Sequence, residues 1–176
     1  ELRHDPVLKP LCGRAPISGA ALASQPTLSR FENSLTPRQL VALTRGLEQA
    51  VIARLKQRHP KARKIVIDVD GTADPTHGQQ FLSCFNGYYG SWCYLPLVGF
   101  LTVDDDPEQY LFAARLRPGN ASAWRGSLPL LRRTVRRLRA AFPKARLIVR
   151  LDAGFASPTI FTALEQLDVR YVVGLV

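Results

Sequence analysis

Two aspartates, each at the carboxyl end of an apolar run of residues, are the side chains of this sequence best suited to chemistry. Asp70 ends the run Lys64–Asp70, and Asp152 ends the run Leu147–Asp152. Neighbouring strands lie about 4.8 Å apart, so carboxylates at the ends of two parallel strands could share divalent cations. Carboxylate oxygens suit Mg²⁺ or Mn²⁺ rather than zinc, and two such ions can clamp the oxygens of a phosphodiester displacement. The pattern therefore indicates a metal-dependent phosphoryl-transfer site.

The residues alone leave two questions about this site open. Each aspartate also fits a simple turn or helix cap, and Asp68 points to the same strand face as Asp70 because side chains alternate along a strand. A Pro-Lys-Ala-Arg string at 60–63 and again at 143–146 precedes the two strands. Counted from that repeated string, Asp152 is one position out of step with Asp70, so a common face is undecided.

The helices and strands that must position the two aspartates can be predicted from hydrophobic periodicity and from the residues that begin and end elements. Pro37 after Thr36 begins a helix that Pro60 stops. Three strands joined by short turns predict an antiparallel meander, and the later alternation of helix and strand predicts parallel crossovers. The predicted elements after the first helix are strands Lys64–Asp70, Trp92–Val103 and Gln109–Arg117, helix Trp124–Phe142, strand Leu147–Asp152, a helix capped by Ser157 and reaching about Leu167, and strand Arg170–Val176. This order predicts an α/β fold with a ribonuclease H-like mixed sheet flanked by helices.

Composition narrows the partners. The chain has 176 residues and a formal net charge of +10, a balance that favours nucleic acid or an anionic membrane surface. No apolar run approaches the roughly 20 residues that a bilayer helix needs, so we expect no membrane partner. Three cysteines without a C-x-x-C pair predict a reducing cytosol and no zinc site.

Arginines along the predicted helix Trp124–Phe142 are candidate DNA contacts. We expect some of them to bind phosphates without reading sequence, and the alternative is a solvated helix face opposite the leucine stripe. The candidates are Arg125, Arg132, Arg133 and Arg136. The aromatic residues Trp92, Trp124 and Tyr88-Tyr89 are expected in the core or in turns rather than on a base-stacking surface.

Five unusual strings occur in a fixed order along the chain. They are Asp68-Val69-Asp70-Gly71-Thr72-Ala73-Asp74-Pro75-Thr76-His77-Gly78-Gln79-Gln80, Phe85-Asn86-Gly87-Tyr88-Tyr89, Tyr94-Leu95-Pro96-Leu97, Leu116-Arg117-Pro118-Gly119-Asn120-Ala121 and Arg150-Leu151-Asp152-Ala153-Gly154-Phe155. Together they resemble bacterial insertion-sequence transposases of the DDE superfamily, over at least residues 60–176. Leu151 departs from the family, which often has Gly at that position.

The resemblance implies roles for particular residues. The family's first catalytic aspartate lies in an Asp-x-Thr string, which selects Asp70 over Asp68, and its second in an Asp-x-Gly-Phe/Tyr string, which selects Asp152. Both would bind Mg²⁺ or Mn²⁺. The family's catalytic Glu follows the next strand on a later helix, so the third ligand is expected beyond this chain, and Glu165 is interpreted as a solvated helix residue.

The resemblance also implies an activity and partners. It predicts metal-dependent cleavage and strand transfer of double-stranded DNA, at transposon ends and at a target, in cut-and-paste transposition. The full-length protein would act as a homo-oligomer in the bacterial cytoplasm, associated with the nucleoid. Two alternatives stay open, an inactive remnant that only binds DNA and a structure-selective nuclease on the same fold.

The ends of the sequence predict a fragment. It begins with Glu1, contains no methionine, and stops on an apolar strand. We therefore expect an internal piece, with a helical lead-in over residues 1–59 and a ribonuclease H-like core over residues 60–176 that ends before the third acidic residue.

Overall fold

The computed structural model describes residues 2–78 and 80–175. It divides into two compact units, Glu1–Ala42 and Leu43–Val176, and this boundary falls within one helix. The division predicted at residue 59 stays a prediction. Within the described residues, no helix is both long enough and apolar enough to span a bilayer.

The described residues form five α-helices and eight strands. The helices are α1 (Leu8–Leu11), α2 (Gln25–Ser34), α3 (Pro37–Arg58), α4 (Ser127–Ala141) and α5 (Pro158–Gln166). The strands are β1 (Lys64–Gly71), β2 (Asp74–Pro75), β3 (Cys84–Asn86), β4 (Ser91–Tyr94), β5 (Leu97–Val103), β6 (Tyr110–Arg115), β7 (Arg146–Leu151) and β8 (Arg170–Val173). Two short 3-10 helices span Leu2–His4 and Ala153–Phe155.

A five-stranded mixed sheet forms the centre of the second unit. Its order is β6-β5-β1-β7-β8. β1, β5 and β6 pair antiparallel, whereas β1, β7 and β8 pair parallel. The predicted ribonuclease H-like mixed sheet, a three-strand meander continued by parallel strands and flanked by helices, is confirmed.

One face of the sheet carries the hydrophobic core. Alternate residues of β1 and β7, such as Ile65, Ile67 and Val149, are buried with helix residues that include Leu131 and Leu164. This burial removes large apolar areas from water, and each Å² that is removed stabilises the fold by about 25 cal/mol. The other face of β1 alternates with it and is half-buried or exposed, which leaves polar side chains on that face free to do chemistry.

The predicted strand Trp92–Val103 is wrong, because Pro96 divides it. Its first part is β4 and its second part is β5, and the two belong to different sheets. Proline has no N–H to donate to a ladder, and the carbonyl of Pro96 accepts instead from the amide of Thr72 (3.1 Å). The connection from β1 to β5 is therefore no short turn, since it contains a second sheet of order β2-β4-β3.

Local capping signals place the helix starts. The hydroxyl of Thr36 accepts from the Gln39 amide (3.3 Å), and the Gln39 side chain accepts from the Thr36 amide (2.8 Å), a reciprocal capping pair. Ser157 caps α5 by accepting from the amide of Ile160 (3.3 Å), as predicted. The last strand ends at Val173, short of the predicted Val176, which lies outside the described residues, as do Glu1 and Gln79.

A fully buried carboxylate joins α3 to α4. Glu48 is 0% exposed, and its oxygens accept from Arg133 Nε (2.7 Å), Thr134 Oγ1 (2.5 Å) and Arg137 Nη1. Burial of a charge is costly unless it is paired and hydrogen-bonded, and here two guanidiniums and a hydroxyl satisfy it. The arginine-rich helix is thereby held to α3 by its own charges as well as by its leucines.

The loop after β6 approaches the small sheet so closely that only glycine fits at position 119. A Cβ there would lie 2.1 Å from the carbonyl oxygen of Cys93 and 2.4 Å from that of Cys84. Both are backbone atoms of the β3–β4 ladder and cannot yield cheaply. We expect Gly119→Ala to lower the free energy of unfolding by at least about 1–3 kcal/mol, measured by urea denaturation. Gly87→Ala, with no atom within 4 Å of its added Cβ, is the control and should change stability little; equal effects would contradict the packing argument.

The loop between β5 and β6 contains two carboxyls whose pKa values are lowered. The pKa of Asp106 falls because the Glu108 amide donates to it and Arg58 lies near, and the pKa of Glu108 falls because Tyr110 and Arg58 donate to it. A carboxyl with a lowered folded-state pKa binds its proton more readily when unfolded, so its stabilisation is present above its ordinary pKa and is lost as pH falls through the folded-state value.

We therefore expect stability to fall on acidification below about pH 4.5, the ordinary range of these carboxyls. The double variant Asp106→Asn/Glu108→Gln should show a shallower acid loss when the free energy of unfolding is measured between neutral and acid pH. An identical slope in the wild type and the double variant would contradict this assignment.

Candidate functional site

Strand pairing brings Asp70 and Asp152 to the same place on the sheet. β1 and β7 pair in parallel from Lys64 opposite Arg146 to Val69 opposite Leu151. Continuing this pairing by one residue sets Asp70 beside Asp152, the first residue after β7. Side chains in register on neighbouring parallel strands share a face. The one-residue offset counted from the repeated Pro-Lys-Ala-Arg string does not apply, because the strand register and not that string aligns the two carboxyls.

A neighbouring ion pair distinguishes Asp68 from Asp70. Arg150 donates through Nε to Asp68 Oδ1 (2.6 Å) and through Nη2 to Asp68 Oδ2 (2.9 Å), a bidentate pair. Asp70 is exposed, and its Oδ1 accepts from the amide of Gly71 (2.7 Å). Asp68 is thus committed to Arg150, whereas the Asp70 carboxylate is open to a ligand.

The two carboxyls influence one another electrostatically. The pKa of Asp152 is raised, first by loss of solvent around the carboxyl and then by the negative charge of Asp70; the backbone N–H groups of Gly154 and Phe155 oppose the rise. The repulsion indicates that the two groups are close. Two like charges held together in this way are destabilising until a cation neutralises them.

The donor set fits a hard divalent cation. Both groups are carboxylates at the carboxyl ends of adjacent parallel strands, and such oxygens are the ligands that Mg²⁺ and Mn²⁺ prefer. Among residues 2–78 and 80–175, no group of three or more His, Cys, Asp or Glu side chains could hold a metal ion. The two carboxyls therefore have no third ligand within these residues. Glu165 is exposed on α5 and accepts a hydrogen bond from the Tyr171 hydroxyl (2.6 Å), as expected of a surface residue.

Arg117 lies behind Asp70 and is one residue for which the sequence analysis assigned no role. It is only 4% exposed. Its Nη2 atom would lie 2.7 Å from a Cβ placed on Gly71, so the glycine after Asp70 makes room for the guanidinium. The sequence signal for Arg117 is the string Leu116-Arg117-Pro118-Gly119-Asn120. This string is one of those that carry the family resemblance, but the resemblance implied no function for it.

Tyr89 is a second residue near the carboxyls. Its pKa is raised, first by burial and then by the neighbouring charges of Tyr88, Asp70 and Asp152. The Asn86 side chain accepts from the amides of Tyr88 (3.0 Å) and Tyr89 (3.3 Å), which fixes the turn that presents the ring. The tyrosine pair lies in a turn, as expected, but is exposed rather than buried in the core.

Trp92 lies neither in the core nor in a turn, unlike the expectation. It is 60% exposed on β4, where its ring packs edge-to-face with that of Phe85 at 6.2 Å between centroids. β4 is the central strand of the three-stranded sheet, and side chains alternate along it, so Cys93 is buried on one face while Trp92 lies in solvent on the other. Trp124 is 38% exposed just before α4.

The four candidate DNA-contact arginines have different surroundings. Arg132 and Arg136 are exposed on α4, and no hydrogen bond or ion pair engages their guanidiniums within the described part of the chain. Arg125 is exposed just before α4, where its carbonyl accepts from Arg117 Nη1 (2.9 Å). Arg133 is half-buried and paired with Glu48. Only the first three keep their charges available to a partner.

Comparison with known families places these features in context. A family profile described as "Transposase DDE domain group 1" matches residues 1–176. No curated protein sequence matches the chain significantly.

Several solved structures are similar to the chain at low identity. The catalytic domain of Mos1 mariner transposase is 14% identical, with a TM-score of 0.39 over 78% of this chain and 61% of that one. A Mos1 transposase paired-end complex with the left transposon end is 14% identical, with a TM-score of 0.36 over 78% of this chain and 43% of that one. A Mos1 transposase catalytic domain with Raltegravir and Mn is 14% identical, with a TM-score of 0.35. The chain thus spans 61% of the length of the first and 43% of the length of the second.

Proposed function

The chain belongs to the transposase DDE domain family, and from this premise we propose that it is part of the catalytic core of a bacterial insertion-sequence transposase. In this proposal Asp70 and Asp152 are two of the catalytic metal ligands. The reaction is metal-dependent cleavage of double-stranded DNA at the element's ends, followed by strand transfer to a target. Both steps are phosphoryl transfers.

One observation supports the proposal: β1 and β7 pair in parallel as far as Val69 opposite Leu151, and Asp70 and Asp152 are the next residue of each chain segment. When bound there, Mg²⁺ or Mn²⁺ would polarise phosphoryl oxygens and lower the pKa of an attacking water. The chain's own contribution is to hold the two oxygen donors rigidly at strand tips. The Asp68–Arg150 pair on the same face keeps a competing carboxylate occupied.

Double-stranded DNA is the proposed partner. The net charge of +10 supports attraction to a polyanion, and the unpaired guanidiniums of Arg125, Arg132 and Arg136 are suited to phosphate contacts. The Arg133 side chain instead stabilises the α3–α4 pair. We further propose that the full-length protein is a homo-oligomer that acts at the nucleoid of the bacterial cytoplasm, with residues 1–59 as a helical lead-in to the core.

A cleavage and joining assay tests the proposal. The protein is incubated with Mg²⁺ and a duplex that carries the element's terminal sequence, and the Asp70→Asn and Asp152→Asn variants serve as controls. Cleaved ends joined to target DNA, absent from both variants, would support transposition. Cleavage without joined products would favour the structure-selective nuclease.

The second candidate function is a protein that binds DNA without cutting it. The observation in its favour is that no third metal-ligating side chain joins Asp70 and Asp152 within residues 2–78 and 80–175. In the same assay this alternative predicts a shift of the duplex to a bound form, with no cleaved product at any Mg²⁺ concentration.

A further inference from the structure

We propose that Arg115, Arg117 and Arg125 form a binding site for a phosphate group of the DNA backbone, beside the two carboxyls. This inference rests on the proposed function and deepens it, because it assigns a particular cavity to one stretch of the DNA strand. Of the phosphate contacts suggested by sequence, Arg125 belongs to this site, whereas Arg132, Arg133 and Arg136 lie along α4.

The site is an open cavity of about 140 Å³ between the end of β6 and the start of α4. Three of its lining residues are arginines, and none is acidic. The lining residues are Arg115, Leu116, Arg117, Pro118, Arg125 and Gly126. The side chains of Arg115 and Arg125 are exposed and form no ion pair within the described ranges.

Arg117 is a buried cation that forms no ion pair within residues 2–78 and 80–175. Its Nε donates to the Leu95 carbonyl (2.7 Å), and its Nη1 donates to the carbonyls of Ser122, Ala123 and Arg125 (3.2, 2.7 and 2.9 Å). Nη2 is buried and has no hydrogen-bond partner in the part of the chain that the structure describes. Carbonyl dipoles orient the guanidinium but carry no net charge, so this 4% exposed side chain has no ion-pair partner within the described residues. An anion in the cavity that Arg117 lines would compensate its positive charge.

The three charges also act on one another. The pKa of Arg117 is lowered, first by burial and then by the positive charges of Arg115 and Arg125, while Asp70 acts in the opposite direction. Like charges gathered without a counterion repel, and this repulsion supports the geometric argument that the cavity accommodates an anion. The influence of Asp70 places the cluster within electrostatic reach of the candidate metal ligands.

The start of α4 adds to the same field. Gly126 precedes the helix with a φ of +82°, no side chain caps its N-terminus, and no acidic residue lies in its first turn. The Arg115 Nη1 atom would lie 3.1 Å from a Cβ on Gly126, so this guanidinium rests against the helix start. The positive end of a helix dipole favours anions. Exposed Arg115 and Arg125 would donate to the phosphate oxygens, and Arg117 would contribute its charge from beneath.

A DNA-binding experiment without metal tests the inference. The probe is a fluorescent duplex, titrated in EDTA with the wild type, with the double variant Arg115→Gln/Arg125→Gln, and with a control double variant, Arg63→Gln/Arg146→Gln. The control residues are exposed arginines at the opposite, amino ends of β1 and β7, and the change in net charge is the same. At about 0.1 M salt, each lost phosphate contact should weaken binding about tenfold and reduce the salt slope by about 0.9.

The expected result is that the cavity variant binds at least about tenfold more weakly than the control. Inorganic phosphate at millimolar concentration should compete with DNA for the wild type more strongly than for the cavity variant. Equal weakening of both double variants, or none in the cavity variant, would overturn the inference. Protection by free phosphate without any difference in DNA affinity would overturn the DNA assignment.

The same measurement separates this inference from the proposed function. Asp70→Asn and Asp152→Asn remove negative charge near the cavity, so both variants should bind DNA in EDTA at least as tightly as the wild type. If no protein cuts DNA but the cavity variant binds weakly, the catalytic proposal fails and the phosphate site stands. If the wild type cuts and joins DNA but the cavity variant binds normally, only the phosphate site fails. Circular dichroism spectra of both double variants should match that of the wild type, since the substituted side chains are exposed.

Discussion

Asp70→Asn and Asp152→Asn are each expected to reduce the affinity for Mn²⁺ at least about a hundredfold, and metal-dependent cleavage at least as much. Asparagine keeps the size of the side chain but removes a negatively charged oxygen donor, and hard divalent ions depend on such donors. Isothermal titration with Mn²⁺ measures the affinity directly. The expectation depends on the register that sets the two carboxyls side by side.

The neighbouring carboxyl provides the matched control. Asp68 lies on the same face of β1 but is bound bidentately by Arg150, so Asp68→Asn should leave Mn²⁺ affinity nearly unchanged. If Asp68→Asn abolished metal binding and Asp70→Asn did not, the assignment of the two residues would be reversed. Wild-type affinity in both Asp70→Asn and Asp152→Asn would exclude a shared metal site.

Asp152→Asn should weaken metal binding but should increase the stability of the metal-free protein. A carboxyl whose folded-state pKa is raised, as that of Asp152 is, binds protons more tightly when folded, so its ionisation destabilises the fold as pH rises above its ordinary pKa. At neutral pH and in EDTA, Asp152→Asn should therefore unfold at a higher temperature than the wild type. Mg²⁺ should raise the melting temperature of the wild type and leave that of the variant unchanged.

Glu48→Ala is expected to lower the free energy of unfolding by about 3–5 kcal/mol, because it leaves half-buried guanidiniums without their anion. Arg133, Thr134 and Arg137 all donate to this carboxylate, which is completely buried between α3 and α4. The total free energy of unfolding of a domain is about 5–15 kcal/mol, so the variant should be close to unfolding at room temperature. Urea denaturation of the wild type and the variant measures the difference.

One further variant separates the charge of Glu48 from its shape, and a second serves as a control at an exposed glutamate. Glu48→Gln keeps the volume of the side chain but should still lower the free energy of unfolding substantially, since the charges of Arg133 and Arg137 stay unpaired. Glu165→Gln, on the exposed side of α5, should change the free energy of unfolding by less than about 1 kcal/mol. Loss of equal size at both positions would contradict a special role for the buried carboxylate.

Much of the candidate site could be predicted because its signals are local. An alternating apolar run that ends in Asp70, and a second that ends in Asp152, predict strands with carboxyls at their tips, and the strand boundaries agree within one or two residues. Proline and serine at the start of α5 predict its cap correctly. These signals are read within a few residues, where backbone hydrogen bonding and side-chain alternation act.

Other features depend on residues far apart in the chain. The choice between Asp68 and Asp70 rests, in the structure, on an ion pair with Arg150. Glu48 would be assigned to the solvated face of α3 by its charge, yet contacts from α4 bury it. Arg117 has no local pattern that marks it as buried, because its carbonyl partner Leu95 lies 22 residues away in another loop.

The amino-acid sequence by itself determined the type and order of the main strands and helices, the positive charge and the presence of two carboxyls at strand ends, since each depends on composition or on short-range periodicity. Only the tertiary structure decided that Asp70 and Asp152 share a face, that Pro96 sends β4 and β5 to different sheets, and that Arg117 lies buried behind the carboxyls. Register and burial arise from packing between distant segments, and a one-residue shift in pairing would have turned every side chain of β7 to the other face.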